Sequence, residues 1–165
     1  MKALWELADF VQALRRRLRF GDLSRAPLQF LRVELRGDEL VCEWIVRPAD
    51  EWDASLRECE RQRSMSQQAL RDALMVRDLI FVAFPRVSHA VLRAFRPSSA
   101  REPPELVIAG HARRADCVGV RVGSWAMKAK LYGLQFYLDD GILRELEREE
   151  AAAVSELLNE SIASA

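Results

Sequence analysis

Residues 53–95 limit the folds open to this chain more than any other stretch. They read as a long helix that empties through Pro85 into an extended segment. Ala69, Leu70, Ala73, Leu74, Leu79, Ile80, Ala83 and Phe84 recur at spacings of three and four, with Arg71, Asp72, Arg77 and Asp78 between them. That spacing predicts a helix with one apolar stripe and a wet opposite face. Pro85 cannot continue the helix and biases Phe84 toward extended geometry, after which residues 87–96 have strand composition. The apolar run 79–84 would also suit a buried strand, but the stripe continues in phase from Ala69 and favours helix. Residues 53–63 offer only Leu56 and Cys59 for burial. They read as a separate solvated helix, with a joint near residues 63–66 and Ser66 as the N-cap of the second half.

Upstream, residues 28–47 predict a hairpin. With Gly37-Asp38 as a two-residue turn, Leu35 pairs with Leu40, Val33 with Cys42 and Leu31 with Trp44 on one face. The other face carries Arg36–Glu39, Glu34–Val41, Arg32–Glu43 and Phe30–Ile45, so one alignment yields an apolar face and two opposite-charge pairs. Phe30 and Ile45 stand out on that second face and need cover, from another element or from a second subunit, which makes them candidate interface residues.

The spacing over residues 3–20 predicts an amphipathic helix ended by Gly21, with Arg15, Arg16, Arg17 and Arg19 in its last turns. Cations there complement the carbonyl end of the helix dipole; adjacent arginines also suit an RNA or acidic-partner patch. With 25 basic and 25 acidic residues, no global field draws the chain to nucleic acid or anionic lipid. Charge is uneven along it: residues 139–165 hold eight acids against two arginines, while residues 1–25 hold six basic residues against three acids. Such ends can pair within a chain or across a dimer.

After Pro48, the run Asp50-Glu51-Trp52-Asp53 is the most suggestive chemically: three carboxylates beside an indole at the mouth of a helix. A carboxyl against a tryptophan can act as a general acid, whereas Asp53 as an N-cap and acids at a helix N-terminus are ordinary structure. The only histidines, His89 and His111, fall on the strands predicted at 87–96 and 105–114, joined by a Pro/Ser-rich loop and paired antiparallel. Were they to meet on one face with Cys59 or Cys117, a metal or nucleophilic site would be conceivable, but their spacing carries no ligand signature. Gly119 and Gly123 precede a short helix capped by Ser124 and ended by Gly133, with Lys128 within reach of any phosphate there. The spacing departs from the phosphate-loop pattern. Residues 134–138 alternate as a strand up to the turn Asp139-Asp140-Gly141, and 142–162 read as an acidic C-terminal helix that could begin as a returning strand.

These elements predict a single α+β domain: an antiparallel β-sheet of about five strands, helices packed mainly on one face, and a ferredoxin-like split β-α-β as core. The three cysteines, far apart and odd in number, read as reduced thiols; no apolar run is long enough to span a membrane, and no signal-peptide pattern opens the chain. With lysine reduced to Lys2, Lys128 and Lys130, the arginine bias points to a GC-rich bacterial genome, and the whole to a cytoplasmic protein without cofactor or bound metal. Two functions follow as expectations. One is a non-catalytic interaction or self-assembly module, a homodimer joined through apolar outer-face residues. The alternative is a small-molecule binder or enzyme with a cleft near Asp50, Trp52 and Asp53 and the two histidines as further catalytic candidates, where Lys128, Arg15, Arg16 and Arg17 are further binding candidates.

Overall fold

The computed structural model describes residues 5–12, 28–116, 121 and 123–147. Residues 5–12 are helical (α1). There follow β1 (Gln29–Arg36), β2 (Glu39–Ile45), a 3-10 turn (Glu51–Ser55), α2 (Glu58–Ala83), β3 (His89–Arg96), β4 (Glu105–Arg113), a second 3-10 turn (Arg114–Asp116), α3 (Trp125–Leu131), β5 (Leu134–Gln135), β6 (Tyr137–Asp139) and β7 (Ile142–Arg144). The expected Arg15, Arg16, Arg17 patch, the Gly21 cap, Gly119, Cys117 and most of the acidic C-terminal helix lie outside the described residues.

Strands β1 to β5 form one sheet in chain order, and β6–β7 a separate hairpin. The class is α+β, with a sheet antiparallel throughout except where β2 and β3 run parallel, side by side. That pair corrects the split arrangement expected for the core. A 26-residue helix crosses between β2 and β3, and they hydrogen-bond directly with no strand inserted between them.

The hairpin register holds from Arg36↔Glu39 to Arg32↔Glu43 and then breaks. A bulge at Leu31 brings Phe30 opposite Trp44 and Gln29 opposite Ile45. One extra residue reverses which side chains face inward. Phe30 therefore packs against the core and Leu31 takes its place outside, so the pairing of Phe30 with Ile45 as an outer-face patch is corrected. Val41, Val91 and Ala109 are buried in the middle of that outer face. Glu43, expected to pair with Arg32, instead accepts from Arg93 of β3 at 2.9 Å. Arg32 turns to Glu34, which also takes Arg36; hydrogen bonds from Arg36 and then Arg32 hold the Glu34 carboxyl down to about 2.

The other face carries Leu40, Cys42 and Trp44 of β2, Ala90, Leu92 and Ala94 of β3, and Ile108 and Ala112 of β4, all packed under α2. Burial pushes the Cys42 thiol far up, so it serves as packing and not as a nucleophile. α2 stays helical through Ala83 and is one piece from Glu58. The break falls before it, at Leu56 and Arg57, because Glu60 reaches back to accept from the Arg57 amide at 3.3 Å. Ser66 is not a cap. It sits mid-helix, donates to the Gln62 carbonyl at 2.8 Å and accepts from the Leu143 amide at 2.9 Å, pinning β7 to the helix. The far face of α2 is wet at Gln67, Asp78 and Val82, but Asp72 and Arg77, expected there too, are buried, and α3 and β7 pack on the helix as a further layer. The Arg77 guanidinium lies 4.0 Å from the centre of the Tyr132 ring.

That layer is drawn in by two glycines. A Cβ on Gly110 would fall 2.8 Å from the Gly133 carbonyl oxygen, and one on Gly133 the same distance from that of His111. Gly133, at φ +84, also turns the chain from α3 into β5. Leu134 and Phe136 are buried, and Ile142 begins a returning strand rather than a helix.

Candidate functional site

The acidic run before α2 folds as a 3-10 turn over the flank of the helix. Asp50 caps it, its Oδ1 accepting from the Trp52 amide at 3.1 Å. Asp53, inside the turn, accepts from the Ser64 hydroxyl at 2.7 Å and ties the turn to α2. Trp52 is left 72% exposed.

A hollow of about 230 Å³ opens between this turn, α2 and the start of α3. Asp50, Trp52 and Asp53 line one side, Ser64, Gln67, Gln68 and Arg71 the helix side, and Trp125 the far wall. Trp125 is 43% exposed, with the Arg71 guanidinium 5.1 Å and the Lys128 ammonium 5.6 Å from its ring centre. Lys128 is thus drawn to an indole, and also lies 5.9 Å from the Tyr132 ring. The Asp50 Oδ2 atom is buried and takes no hydrogen bond from the described residues. The site offers acceptor-only carboxylates, a donor-only guanidinium, amides and a hydroxyl that do both, and two indole surfaces.

Other hollows carry less chemistry. One of about 250 Å³ between α2 and β7 is lined by Glu58, Gln62, Ser66, Arg96 and Arg144. Arg96 is committed there to Glu105 and the Leu143 carbonyl, and Arg144 to Asp139. A roomier one, about 590 Å³, lies beside Pro85 among mostly apolar side chains.

The sequence led Asp50 and Asp53 and the two histidines to be considered together. The structure separates them. His89 and His111 alternate with the core residues Ala90 and Ala112, which puts both on the outer face of the sheet, away from α2. There they meet each other, rings stacked at 5.1 Å and 10°. His89 Nδ1 and His111 Nε2 are buried and without a hydrogen-bond partner among the described residues. Cys59 is exposed on α2 and does not join them. Among the described residues no group of three or more His, Cys, Asp or Glu side chains is arranged for a metal ion.

The His111 imidazole is held below its ordinary 6.5 first by burial, then by the neighbouring His89 and Arg113, with Asp116 opposing. Its neutral form is thus the one the fold favours. The stability this confers is complete above pH 6.5 and is lost as pH falls toward the folded value. Chemical denaturation at about pH 7.5 and about pH 5.5 should show the chain less stable at the lower pH, and His111→Gln should shrink that difference.

Trp125, Gln67 and Arg71 went unread in the sequence. Ser64, Gln67, Gln68 and Arg71 do recur at spacings of three and four, so a polar stripe was visible beside the apolar one. Nothing local says that Trp125 faces it. Comparison with protein-family models, curated proteins and solved structures finds no match. No helix among the described residues is long and apolar enough to cross a membrane.

Proposed function

We propose that this chain is a non-catalytic small-molecule-binding domain whose recognition site is the hollow between the Glu51–Ser55 turn, α2 and α3. The observation that carries this reading is that Trp52 and Trp125, both exposed, line one polar hollow. Indoles are costly to leave wet, and a concave site with apolar walls and a few aimed polar groups is the usual form of a ligand pocket. Its polar groups suit holding a ligand, and the histidines that would have supplied a proton-transferring base are on the far face of the sheet. Self-assembly through the outer sheet face has lost one of its two expected anchors, since Phe30 turns inward at the bulge. The arginine-rich, lysine-poor composition and the exposed, free Cys59 support a bacterial, cytoplasmic setting.

Native mass spectrometry of the protein as purified tests this. A bound species of a few hundred daltons, lost on Trp52→Ala, is the expected result. The substitution removes a side chain that is mostly in water and leaves the core untouched. A dimer carrying no added mass would overturn the reading in favour of self-assembly.

A further inference from the structure

Resting on that reading, we infer that the hollow takes a neutral, hydroxyl-rich ring: a single saccharide unit laid with its C–H face on Trp52. The donor and acceptor inventory selects this class. A cationic ligand would meet Asp50 and Asp53 favourably but Arg71 unfavourably, and an anion would meet the reverse. A hydroxyl both donates and accepts, so a ring bearing several can donate to the carboxylates, accept from Arg71 and do both with the Gln67 and Gln68 amides, at no cost in net charge.

The two indoles divide the work. The Trp125 ring is already approached by Arg71 and Lys128, two cations of the chain itself, which disfavours a third. Trp52 has no ring or cation stacked on it among the described residues, and most of its surface is free. An apolar C–H face therefore has an open indole to cover, at the edge of a site whose floor is polar. Asp50 and Asp53 both line the hollow and give a hydroxyl a carboxylate to point at. The hollow's volume of about 230 Å³ is below the usual range for drug-sized ligands and suits one ring better than a chain of them.

Saturation-transfer NMR on the full chain tests this with glucose, galactose, mannose and N-acetylglucosamine as probes, and with choline and adenosine as controls for a cation and a planar base. At least one sugar should bind, with transfer strongest at the C–H protons of one ring face. Trp52→Ala should weaken it about tenfold, in line with the loss of one aromatic contact. Asp50→Asn should weaken it too, with an unchanged thermal midpoint for Trp52→Ala as the folding control. Silence of all four sugars overturns the inference. If choline or adenosine then binds in a Trp52-dependent way, the ligand-binding reading survives without the saccharide; if no probe responds to Trp52→Ala, both fall.

Discussion

Replacing Asp72 with alanine is expected to lower the unfolding free energy by about 3–5 kcal/mol, the usual cost of leaving one member of a buried ion pair without its partner. Asp72 is fully buried on α2, and Arg47, just beyond β2, is almost so. Arg47 grips it with two prongs, Nε on Oδ2 at 2.7 Å and Nη2 on Oδ1, while Gln68 donates to Oδ1 at 2.9 Å from one turn earlier. Removing the carboxylate takes away both of these Arg47 bonds and the counter-charge of a guanidinium that is itself buried. Urea denaturation of Asp72→Ala gives the cost directly. The double variant Arg47→Met, Asp72→Leu separates the pair's net worth from the penalty of breaking it. It should recover most of the loss, because two apolar side chains of similar volume need no partner. If the double variant is as unstable as the single one, the pair itself stabilises the fold.

That pair also shows where sequence reading stops. Asp72 lies between the apolar positions of α2, and by periodicity alone belongs to the wet face. It is buried against Arg47, which arrives from the end of β2, and a one-dimensional pattern reports neither that partner nor the further layer that α3 and β7 lay on the helix. That layer explains Arg77. The hairpin's backbone register, by contrast, was legible. Its turn and five residue pairs follow from alternation and charge, and fail only at Leu31, since a bulge costs little and leaves no mark in composition. In the site, the local part could be read: Asp50, Trp52 and Asp53 are adjacent in the chain and stay together in space. Trp125 joins them only through the docking of α3. The histidines were placed on the right strands, and the alternation that makes those strands also carries both rings to the opposite face.

Arg114 is where a second large effect is expected, and no periodicity announces it. It follows β4, and its guanidinium spans the C-terminal end of α2: Nε donates to the Val87 carbonyl at 2.9 Å, Nη1 to that of Phe81 at 2.9 Å and Nη2 to that of Phe84 at 2.6 Å. It also lies 5.0 Å from the centre of the Phe81 ring. The last carbonyls of a helix have no partner within it and carry the negative end of its dipole, so a forked cation satisfies hydrogen bonding and charge together. It also ties three elements into one junction, since the Arg114 amide donates to the Ser88 carbonyl at 2.9 Å. Arg114→Ala should cost about 2–4 kcal/mol, less than three charge-assisted bonds would sum to, because the site is half-exposed and water can take over some of the carbonyls. Arg114→Lys separates the two contributions. It retains the charge at the helix end but can reach only one carbonyl at a time, so it should recover less than half of the loss. Hydrogen exchange should locate the damage, with faster exchange at the amides of the last turn of α2 and the start of β3 and little change in β1. Equal stability of the lysine and wild-type proteins would mean that charge alone holds this end of the helix and that the fork contributes nothing.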